Sequence, residues 1–266
     1  MPRYRLTLEY AGTRYSGWQI QTNARTVQGE LHRALGEAVG RGRFETYGSG
    51  RTDAGVHALA QVAHVDLERP LPPATLVARV NDALPYDIVV LDAARVAPRF
   101  HARHSAIARS YLYQVSRRRA AFAKPYVWWV REDLDLGRMR DAARAFTGFA
   151  DFRAFTDDRP EEKSTEVLVT GVTIAEHGAL VLIRVTGSHF LWKLVRRLVG
   201  VLADVGRGGL APEAVPRLLG GSSDLPPRLT APASGLFLEQ VFYDASEAPR
   251  ALEPAVPVGS STFDSL

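Results

Sequence analysis

The sequence contains no cysteine, and this absence excludes disulfide bonds and thiolate metal sites. Its seven histidines are scattered without the spacing of zinc ligands. No apolar run reaches the length that crosses a membrane. Residues 1–8 alternate polar and apolar side chains instead of joining a charged stretch to an apolar run, so we expect no secretion signal. These absences predict a cytoplasmic globular protein with no metal or membrane anchor.

Acidic residues are also missing from one long segment, although the chain has 29 of them among 266 residues. Residues 95–124 carry eight positive charges and no negative one, against a net charge of +4 for the whole chain. The rest of the chain therefore has a net charge of −4, and the positive charge is concentrated in residues 95–124. Such a distribution is typical of a surface that meets phosphates. The basic residues are Arg95, Arg99, Arg103, Arg109, Arg117, Arg118, Arg119 and Lys124.

Aromatic residues alternate with these basic residues, at Phe100, Tyr111, Tyr113 and Phe122. Aromatic rings beside cations can stack on bases, which favours RNA as the polyanion. Two alternatives stay open at this point. The segment can be an ordinary solvated basic surface, and Tyr111 and Tyr113 can simply fill a core.

Hydrophobic periodicity predicts a chain that mixes strands and helices. With 46% hydrophobic residues, the chain can form one large domain or two small ones. The order of the elements suggests two similar α+β layers, each a sheet with helices on one face. Strands are predicted at 3–10, 44–47, 60–67, 88–91, 110–116, 167–174, 180–185 and 236–243. Helices are predicted from Val27 after an N-cap at Thr26, from Pro72 or Pro73 to Leu84, from Asp135 to Phe146, from His189 to Val205 and from Glu213 to Leu219.

The predicted helix at 189–205 has an apolar stripe, with Lys193, Arg197 and Asp204 on the opposite side. Arg196 lies at the edge of that stripe. A long arginine in this position either extends to water or leans into a cleft and pairs with a carboxylate. The pattern does not distinguish these two roles.

The stretch from Gly48 to Ala58 concentrates glycines around an arginine, a threonine and Asp53. Dense glycines allow positive φ and close backbone approach to a ligand. A phosphate-binding loop needs Lys and Ser or Thr after its last glycine, but Val56 follows Gly55, and a dinucleotide fingerprint needs glycine where Asp53 stands. Asp53 is therefore either a reactive carboxylate or the first residue of an Asp-Ala-Gly turn.

A second glycine-rich stretch, residues 11–19, joins two glycines to aromatic residues and Arg14. This composition is able to stack on a ligand and to hydrogen-bond to it. The alternative is a connector in which Trp18 anchors the loop in the core.

Seven segments together resemble the motifs of the tRNA pseudouridine synthase A family, in the right order and across nearly the whole chain. The segment Gly50-Arg51-Thr52-Asp53-Ala54-Gly55-Val56-His57 is similar to the catalytic motif of that family. The sequence departs from the family at Ala11, where Asp is usual, at Leu194, where Met is common, and over Arg159 to Glu166. These departures concern loop contacts and tRNA preference. The other six segments are 10–19, 81–88, 100–106, 108–113, 194–200 and 231–238.

The resemblance implies an α+β fold. In it, two ferredoxin-like (RRM-like) halves form one extended, mostly antiparallel sheet with helices on one face and a central cleft. We expect an N-terminal half at 1–105 that carries the aspartate loop and a C-terminal half at 106–245. Residues 246–266 are rich in proline, glycine and serine and are expected to form a disordered tail. The family is homodimeric, which implies a homodimer that binds tRNA.

The resemblance also implies an isomerase that needs no cofactor and converts uridine to pseudouridine at positions 38, 39 and 40 of the anticodon stem-loop. Asp53 would be the catalytic residue, acting either as a nucleophile at C1′ or as a base at C2′. Arg196 would lie near Asp53, and Tyr111 would lie under the uracil. Arg51 would fill the space that the base leaves or bind a phosphate. Further candidates for phosphate binding are Arg14, Arg103 and Arg109.

Two other functions compete with this one. In a binding-only RNA module, Asp53 is a turn residue and the basic, aromatic surface provides all of the function. A glycosidase or phosphotransferase is disfavoured, because the sequence offers no paired second carboxylate and no phosphate loop.

Overall fold

A computed structural model of the chain describes residues 1–40, 44–158, 161 and 164–259. The chain divides into two compact units. Unit 1 comprises Met1–Ile107 and Phe237–Ala248, and unit 2 comprises Ala108–Leu236 and Pro249–Leu266. This division differs from the expected halves, because the final strand belongs to unit 1 and not to the C-terminal half.

The strands in chain order are β1 Arg3–Tyr10, β2 Thr46–Gly48, β3 His57–Asp66, β4 Ile88–Val96, β5 Ala108–Ser116, β6 Trp128–Trp129, β7 Gly148–Asp151, β8 Glu166–His177, β9 Leu180–Gly187 and β10 Leu236–Phe242. The α-helices are α1 Val27–Val39, α2 Pro73–Ala83, α3 Leu136–Ala143, α4 Leu194–Gly206 and α5 Leu225–Arg228. Short 3₁₀ helices cover Gly12–Arg14, Lys124–Tyr126, Arg144–Phe146, Arg153–Phe155, Pro212–Leu218 and Ala233–Gly235.

The sheet of unit 1 has the strand order β4-β1-β3-β10, and β2 also pairs with β3. β1 is antiparallel to both β3 and β4. The predicted alternation in β1 places Tyr4, Leu6 and Leu8 in the core. β10 joins β3 in parallel through the pairs Phe237–His57 and Leu238–Ala58. The strand that follows the Asp53 stretch is therefore held by β1 and by the last strand of the chain.

The helices of unit 1 confirm the predicted helical spacing. The Thr26 hydroxyl accepts a hydrogen bond of 3.2 Å from the Gly29 N–H and caps α1 as expected. Leu31 and Leu35 are buried, and α1 packs against α2. α2 ends at Ala83, just before Pro85, and packs against β4.

The sheet of unit 2 has the strand order β5-β9-β8-β7, with β6 beside β5. β8 and β9 form the predicted antiparallel hairpin around Gly178, which takes φ +57°. Asp135 caps α3 by accepting a hydrogen bond of 3.0 Å from the Arg138 N–H, and the 3₁₀ helix after α3 extends to the predicted end at Phe146. α3 packs against α4 and β8. The structure thus confirms an α+β fold with a large, mostly antiparallel sheet structure.

Helix α4 begins five residues later than the sequence predicts. Lys193 takes a left-handed φ of 64°, which interrupts the helical path before Leu194. Asp157 and Asp158 hold this irregular start, because Asp158 accepts a hydrogen bond of 3.0 Å from the Trp192 N–H and Asp157 pairs with Lys193 at 2.7 Å. Residues 159, 160, 162 and 163, which follow these carboxylates, lie outside the described residues.

The expectation of a disordered tail needs correction for residues 251–259. The Ala255 N–H donates a hydrogen bond of 2.7 Å to Oε1 of the buried Gln114. Val258 is buried, and its carbonyl oxygen accepts a hydrogen bond of 3.3 Å from the Ala179 N–H. The segment thus provides backbone partners for unit 2 despite its composition. Residues 260–266 of the expected tail lie outside the described part of the chain.

Candidate active site

Asp53 lies in the loop between β2 and β3 and is half-buried. The Val56 N–H donates a hydrogen bond of 3.1 Å to the Asp53 carbonyl oxygen, and Gly55 takes φ +79°. A positive φ at the third residue is typical of a type II turn, in which glycine is favoured. The Asp-Ala-Gly turn is therefore present. A turn does not exclude a reactive role, because it fixes the backbone that carries the carboxylate.

The glycine-rich loop at 11–18 packs directly against the Asp53 loop. The Trp18 N–H donates to the Thr52 carbonyl oxygen at 3.0 Å, and the Gly55 N–H donates to the Tyr15 carbonyl oxygen at 3.3 Å. A Cβ atom at Gly17 would lie 2.6 Å from the Thr52 carbonyl oxygen, so only glycine permits this approach. The two loops therefore form one hydrogen-bonded unit around Asp53.

The loop at 11–18 is itself fixed in unit 1. Trp18 is buried, which agrees with the alternative in which it anchors the loop in the core. Tyr15 is also buried, and its hydroxyl donates a hydrogen bond of 2.5 Å to Asp87. Burial and the hydrogen bond to Asp87 raise the pKa of Tyr15 above its usual value, so the hydroxyl keeps its proton. This loop is a structural support for the Asp53 loop.

A buried polar network holds the other side of the Asp53 loop. Ser49 Oγ donates to Gln61 Oε1 at 2.7 Å, and Gln61 Nε2 donates to the Gly50 carbonyl oxygen at 3.0 Å. The hydroxyls of Tyr10 and Thr52 share a hydrogen bond of 2.9 Å. Because these polar groups are buried, breaking one of the hydrogen bonds leaves an unsatisfied group at high cost.

His57 ends the loop and connects it to two other parts of unit 1. Its Nδ1 accepts a hydrogen bond of 3.0 Å from the Gly12 N–H, which requires the neutral tautomer with the proton on Nε2. Its ring stacks on Phe237 of β10, with 4.8 Å between centroids and 25° between planes. A Cβ atom at Gly12 would lie 1.8 Å from the Val56 carbonyl oxygen, so this contact also requires glycine.

Arg51, Arg14 and Arg103 also lie in unit 1, and their side chains are exposed. Arg51 shares the loop of Asp53. The Arg14 guanidinium lies 5.5 Å from the ring centroid of Tyr86, a cation–π distance. The Arg103 N–H donates to His101 Nδ1 at 3.1 Å, which fixes the backbone of that segment.

Tyr111 and Tyr113 project from the same side of β5 in unit 2 but have different surroundings. Tyr113 is fully buried, and its hydroxyl donates a hydrogen bond of 2.7 Å to the Pro232 carbonyl oxygen. Burial raises the pKa of Tyr113 well above its usual value. Tyr113 therefore fills the core. Tyr111 is 8% exposed, and its ring meets Phe190 edge-on at 5.0 Å between centroids, which restricts its orientation.

Arg196 lies in the first turn of α4 in unit 2 and is half-buried. Its Nε donates a hydrogen bond of 2.7 Å to the Ala231 carbonyl oxygen, while its own carbonyl oxygen accepts one of 3.0 Å from the Ala231 N–H. Helix α4 approaches this segment closely, because a Cβ atom at Gly200 would lie 1.7 Å from the Leu229 carbonyl oxygen. Backbone contacts therefore fix the direction of the Arg196 side chain.

Among the described residues, no group of histidine, aspartate and glutamate side chains is arranged to hold a metal ion. In the same part of the chain, no helix is long and apolar enough to cross a membrane.

The sequence model of a protein family described as tRNA pseudouridine synthase matches residues 7–105 and 142–244. The chain belongs to this family. "tRNA pseudouridine synthase A" of Syntrophotalea carbinolica is 43% identical over 241 residues, which cover 90% of this chain and 95% of that protein. The protein of the same name from Pelobacter propionicus is 42% identical, over 91% of this chain and all of that protein. The predicted family is thus confirmed.

The residues expected from the tRNA pseudouridine synthase resemblance are divided between the two units. Asp53, Arg51, Arg14 and Arg103 lie in unit 1, and Tyr111, Arg109 and Arg196 lie in unit 2. Two arginines have surroundings that the sequence did not indicate. Arg109 is buried and donates a hydrogen bond of 2.9 Å to the Ser188 carbonyl oxygen, and its part in phosphate binding stays a prediction.

Arg197 is the second arginine that differs, because it is buried instead of lying on an exposed polar side of α4. Its guanidinium pairs with Asp157. Burial raises the pKa of Asp157, but hydrogen bonds from Lys193 and Arg197 outweigh that effect, and the net pKa lies below its usual value. A basic residue at helical spacing beside an apolar stripe gives no sign of such a distant partner.

The sequence did not predict the roles of Ser49, Gln61 and His57 in supporting the loop. Gln61 was detectable in principle, because it is a polar residue in a strand that is otherwise mostly apolar between Ala58 and Val65. No comparable pattern marks Phe190, which contacts Tyr111 from another element.

Proposed function

We propose that this protein isomerises uridine to pseudouridine in tRNA, at positions 38, 39 and 40 of the anticodon stem-loop, with Asp53 as the catalytic residue. The observation that carries the proposal is the Asp53 loop itself. Hydrogen bonds on two sides hold this loop in place. The chain that carries it belongs to the tRNA pseudouridine synthase family. A rigid loop holds its carboxylate in a fixed orientation before the reaction begins, which lowers the entropic cost of reaching the reactive geometry.

The reaction breaks the N1–C1′ bond of uridine and forms a C5–C1′ bond. N1 gains a proton and C5 loses one, so nothing is added to the nucleotide overall and no cofactor is required. The Asp53 carboxylate acts either by attacking C1′ or by removing the C2′ proton to give a glycal. Both routes use the ionised form, and a nearby cation favours that form. We assign that cationic role to Arg196.

The remaining candidates have roles in binding the substrate. The target base must leave its stack, at a cost of a few kcal/mol that new stacking contacts offset. Tyr111 supplies the ring under the uracil, and its edge-on contact with Phe190 supports that assignment. Arg51 either fills the space that the base leaves or binds a phosphate. Arg14 and Arg103 are exposed and are candidates for phosphate binding.

The proposal includes a homodimer that acts in the cytoplasm, where the tRNA substrate is found. These features rest on the family resemblance of the seven sequence motifs.

Release of tritium from tRNA labelled at uridine C5 tests the reaction. We expect release by the wild-type protein and none by Asp53→Asn, which keeps the size of the side chain but removes its charge. Asp92→Asn is a matched control, because Asp92 is exposed on β4, and it should retain full activity.

The same assay separates the competing functions. A binding-only RNA module predicts no tritium release by the wild type and unchanged tRNA binding by Asp53→Asn. A glycosidase predicts free uracil among the products. Mapping pseudouridine in tRNA from a strain that lacks the gene then tests the three positions.

A further inference from the structure

The loop between β5 and β6 presents basic and aromatic side chains that have no role in the function proposed above. Hydrogen bonds fix both ends of this loop. Ser116 Oγ donates to the Arg118 carbonyl oxygen at 2.7 Å, and the Val130 N–H donates to the Ser116 carbonyl oxygen at 3.0 Å. The Arg117 N–H donates to the Ala179 carbonyl oxygen of the neighbouring hairpin at 2.9 Å. The loop between them is therefore held on the surface of unit 2.

The cations of this loop fall into two groups. Arg117 pairs with Glu176 at 2.9 Å, and Arg118 Nε donates to the Gly259 carbonyl oxygen at 2.9 Å. These contacts are part of the local structure. Arg119 and Lys124 are exposed, and no acidic residue occurs in the sequence from position 93 to position 131. The local charge favours an anionic partner.

Two aromatic residues lie among these cations. Phe122 is 99% exposed, so its ring contributes almost nothing to the core. The Arg119 guanidinium lies 4.5 Å from the ring centroid of Trp129, which is partly exposed. Cation–π contact restricts Arg119 and leaves both groups available to a flat ligand. A single exposed phenylalanine is common in proteins, but one between Arg119 and Lys124 in the sequence matches the way proteins hold unstacked bases.

We infer that Arg119, Phe122, Lys124 and Trp129 form an RNA-binding surface, the β5–β6 surface, that contacts phosphates and one unstacked base of the substrate tRNA. This inference rests on the proposed function for the identity of the RNA. It adds a contact region in unit 2 to the phosphate-binding candidates of unit 1. The surface lies outside the residues that the family model matches.

Binding of tRNA by charge variants tests the phosphate contacts. Each lost contact should reduce the slope of log affinity against log salt by about 0.7–0.9. The double variant Arg119→Gln/Lys124→Gln should therefore lower the slope by about 1.5 and weaken binding about tenfold at low salt. The matched control is Arg144→Gln/Arg228→Gln in the same unit. Its arginines are exposed and already pair with Asp141 and Asp224, so its slope should be that of the wild type.

A single aromatic variant tests the stacking contact. Phe122→Ala should weaken tRNA binding about tenfold without changing the salt slope, because stacking releases no counterions. Phe149→Ala is the control, since Phe149 is also an exposed phenylalanine of unit 2, with 68% exposure. It should bind tRNA like the wild type.

The outcomes separate this inference from the proposed function. Wild-type affinity in both test variants, alongside normal tritium release, would overturn the β5–β6 surface and leave the isomerase intact; a surface that binds a protein partner instead would give that result. Weakened binding in both variants, alongside a wild-type protein that releases no tritium, would support the surface and overturn the isomerase. Unchanged denaturation midpoints establish that the variants are folded, as expected for exposed residues.

Discussion

At the scale of single residues, the Asp53 loop depends on glycines that allow two backbones to touch. Gly17 takes φ +92°, and a Cβ atom there would lie 2.6 Å from the Thr52 carbonyl oxygen. Gly17→Ala should therefore destabilise the protein by about 2–3 kcal/mol and displace the residue next to Asp53. A displacement of about 1 Å can reduce turnover about a hundredfold. Chemical denaturation and tritium release measure the two effects.

Gly40→Ala provides the matched control for Gly17→Ala. Gly40 takes a similar φ of +73°, but nothing lies within 4 Å of the position of its Cβ atom. This variant should show only the cost of a backbone conformation with φ 73° and ψ −155° that residues with a Cβ atom disfavour, about 1–3 kcal/mol, with normal tritium release. Equal losses of activity in the two variants would contradict the role of close contact.

A buried histidine makes the stability of the protein depend on pH. Burial, the charge of Arg3 and the neighbouring His101 lower the pKa of His64 to about 4, and its Nδ1 accepts a hydrogen bond of 3.1 Å from the Ala102 N–H. The unfolded chain binds a proton at His64 below about pH 6.5, but the folded protein does not until about pH 4. The free energy of unfolding should therefore fall as the pH decreases through that window.

The variant His64→Gln isolates this contribution, because glutamine offers an acceptor but no titratable group. Near pH 5 the wild type should take up about one more proton on unfolding than the variant. Denaturant titrations across the window measure this difference as a steeper loss of stability in the wild type. Parallel curves for the two proteins would show that His64 does not titrate as described.

Residue patterns predicted the single groups that act locally and missed those that act across the fold. The caps at Thr26 and Asp135 and the anchor at Trp18 follow from local chemistry or size. Gln61 and Arg197 differ, because their partners lie 11 and 40 residues away and only the folded chain brings them together.

At the scale of elements, helix α4 needs a small residue where it meets the segment at 229–231. A Cβ atom at Gly200 would lie 1.7 Å from the Leu229 carbonyl oxygen and 3.3 Å from the backbone nitrogen of Ala231, the residue whose carbonyl oxygen accepts the hydrogen bond from Arg196. Gly200→Ala should destabilise the protein by about 3 kcal/mol, because a packed helix cannot move without losing its buried contacts. Denaturant unfolding measures this change.

The same substitution in α1 should have the opposite effect. The nearest atom to a Cβ at Gly36 is Phe44 Cζ at 3.9 Å, an ordinary contact. Gly36→Ala should stabilise the protein by about 0.5–1 kcal/mol through the higher helix propensity of alanine. An equal loss of stability in Gly36→Ala and Gly200→Ala would contradict the role of the close backbone contact at Gly200.

The positions of the strands and helices were predicted better than other features of the fold, because strand alternation and helical spacing depend on neighbours in sequence. The start of α4 is the main exception. Its apolar periodicity continues through residues 189–193, but contacts with Asp157 and Asp158 and the left-handed Lys193 replace the first turn. Distant carboxylates leave no mark on the local pattern.

At the scale of the whole molecule, the C-terminal segment completes unit 2. Gln114 is fully buried, and its Oε1 accepts a hydrogen bond from the Ala255 N–H. A chain that ends at residue 248 should lose about 1–3 kcal/mol of stability, because this oxygen loses a partner. A chain that ends at residue 259 keeps the contact and should match the wild type in denaturant unfolding. Equal stability of the two truncated chains would contradict this role.

The place of the final strand in unit 1 was not predictable from the order of elements, although the boundary between Ile107 and Ala108 lies close to the expected one between 105 and 106. The final strand follows the C-terminal half in sequence, but Phe237 and Leu238 pair with His57 and Ala58 of unit 1. Parallel pairing between residues 180 positions apart leaves no periodic signal, so the sequence favoured a simple split.

The pairing of β10 with β3 also sets the order of events during protein synthesis. Residues 57 and 58 leave the ribosome long before their partners at 237 and 238, by roughly 10–40 s at the usual rate of translation. During this time the backbone edge that follows the Asp53 loop has no strand to pair with, and His57 lacks the Phe237 ring. A nascent chain therefore cannot finish this loop until it is almost complete, and a prematurely terminated chain would lack the support that holds Asp53.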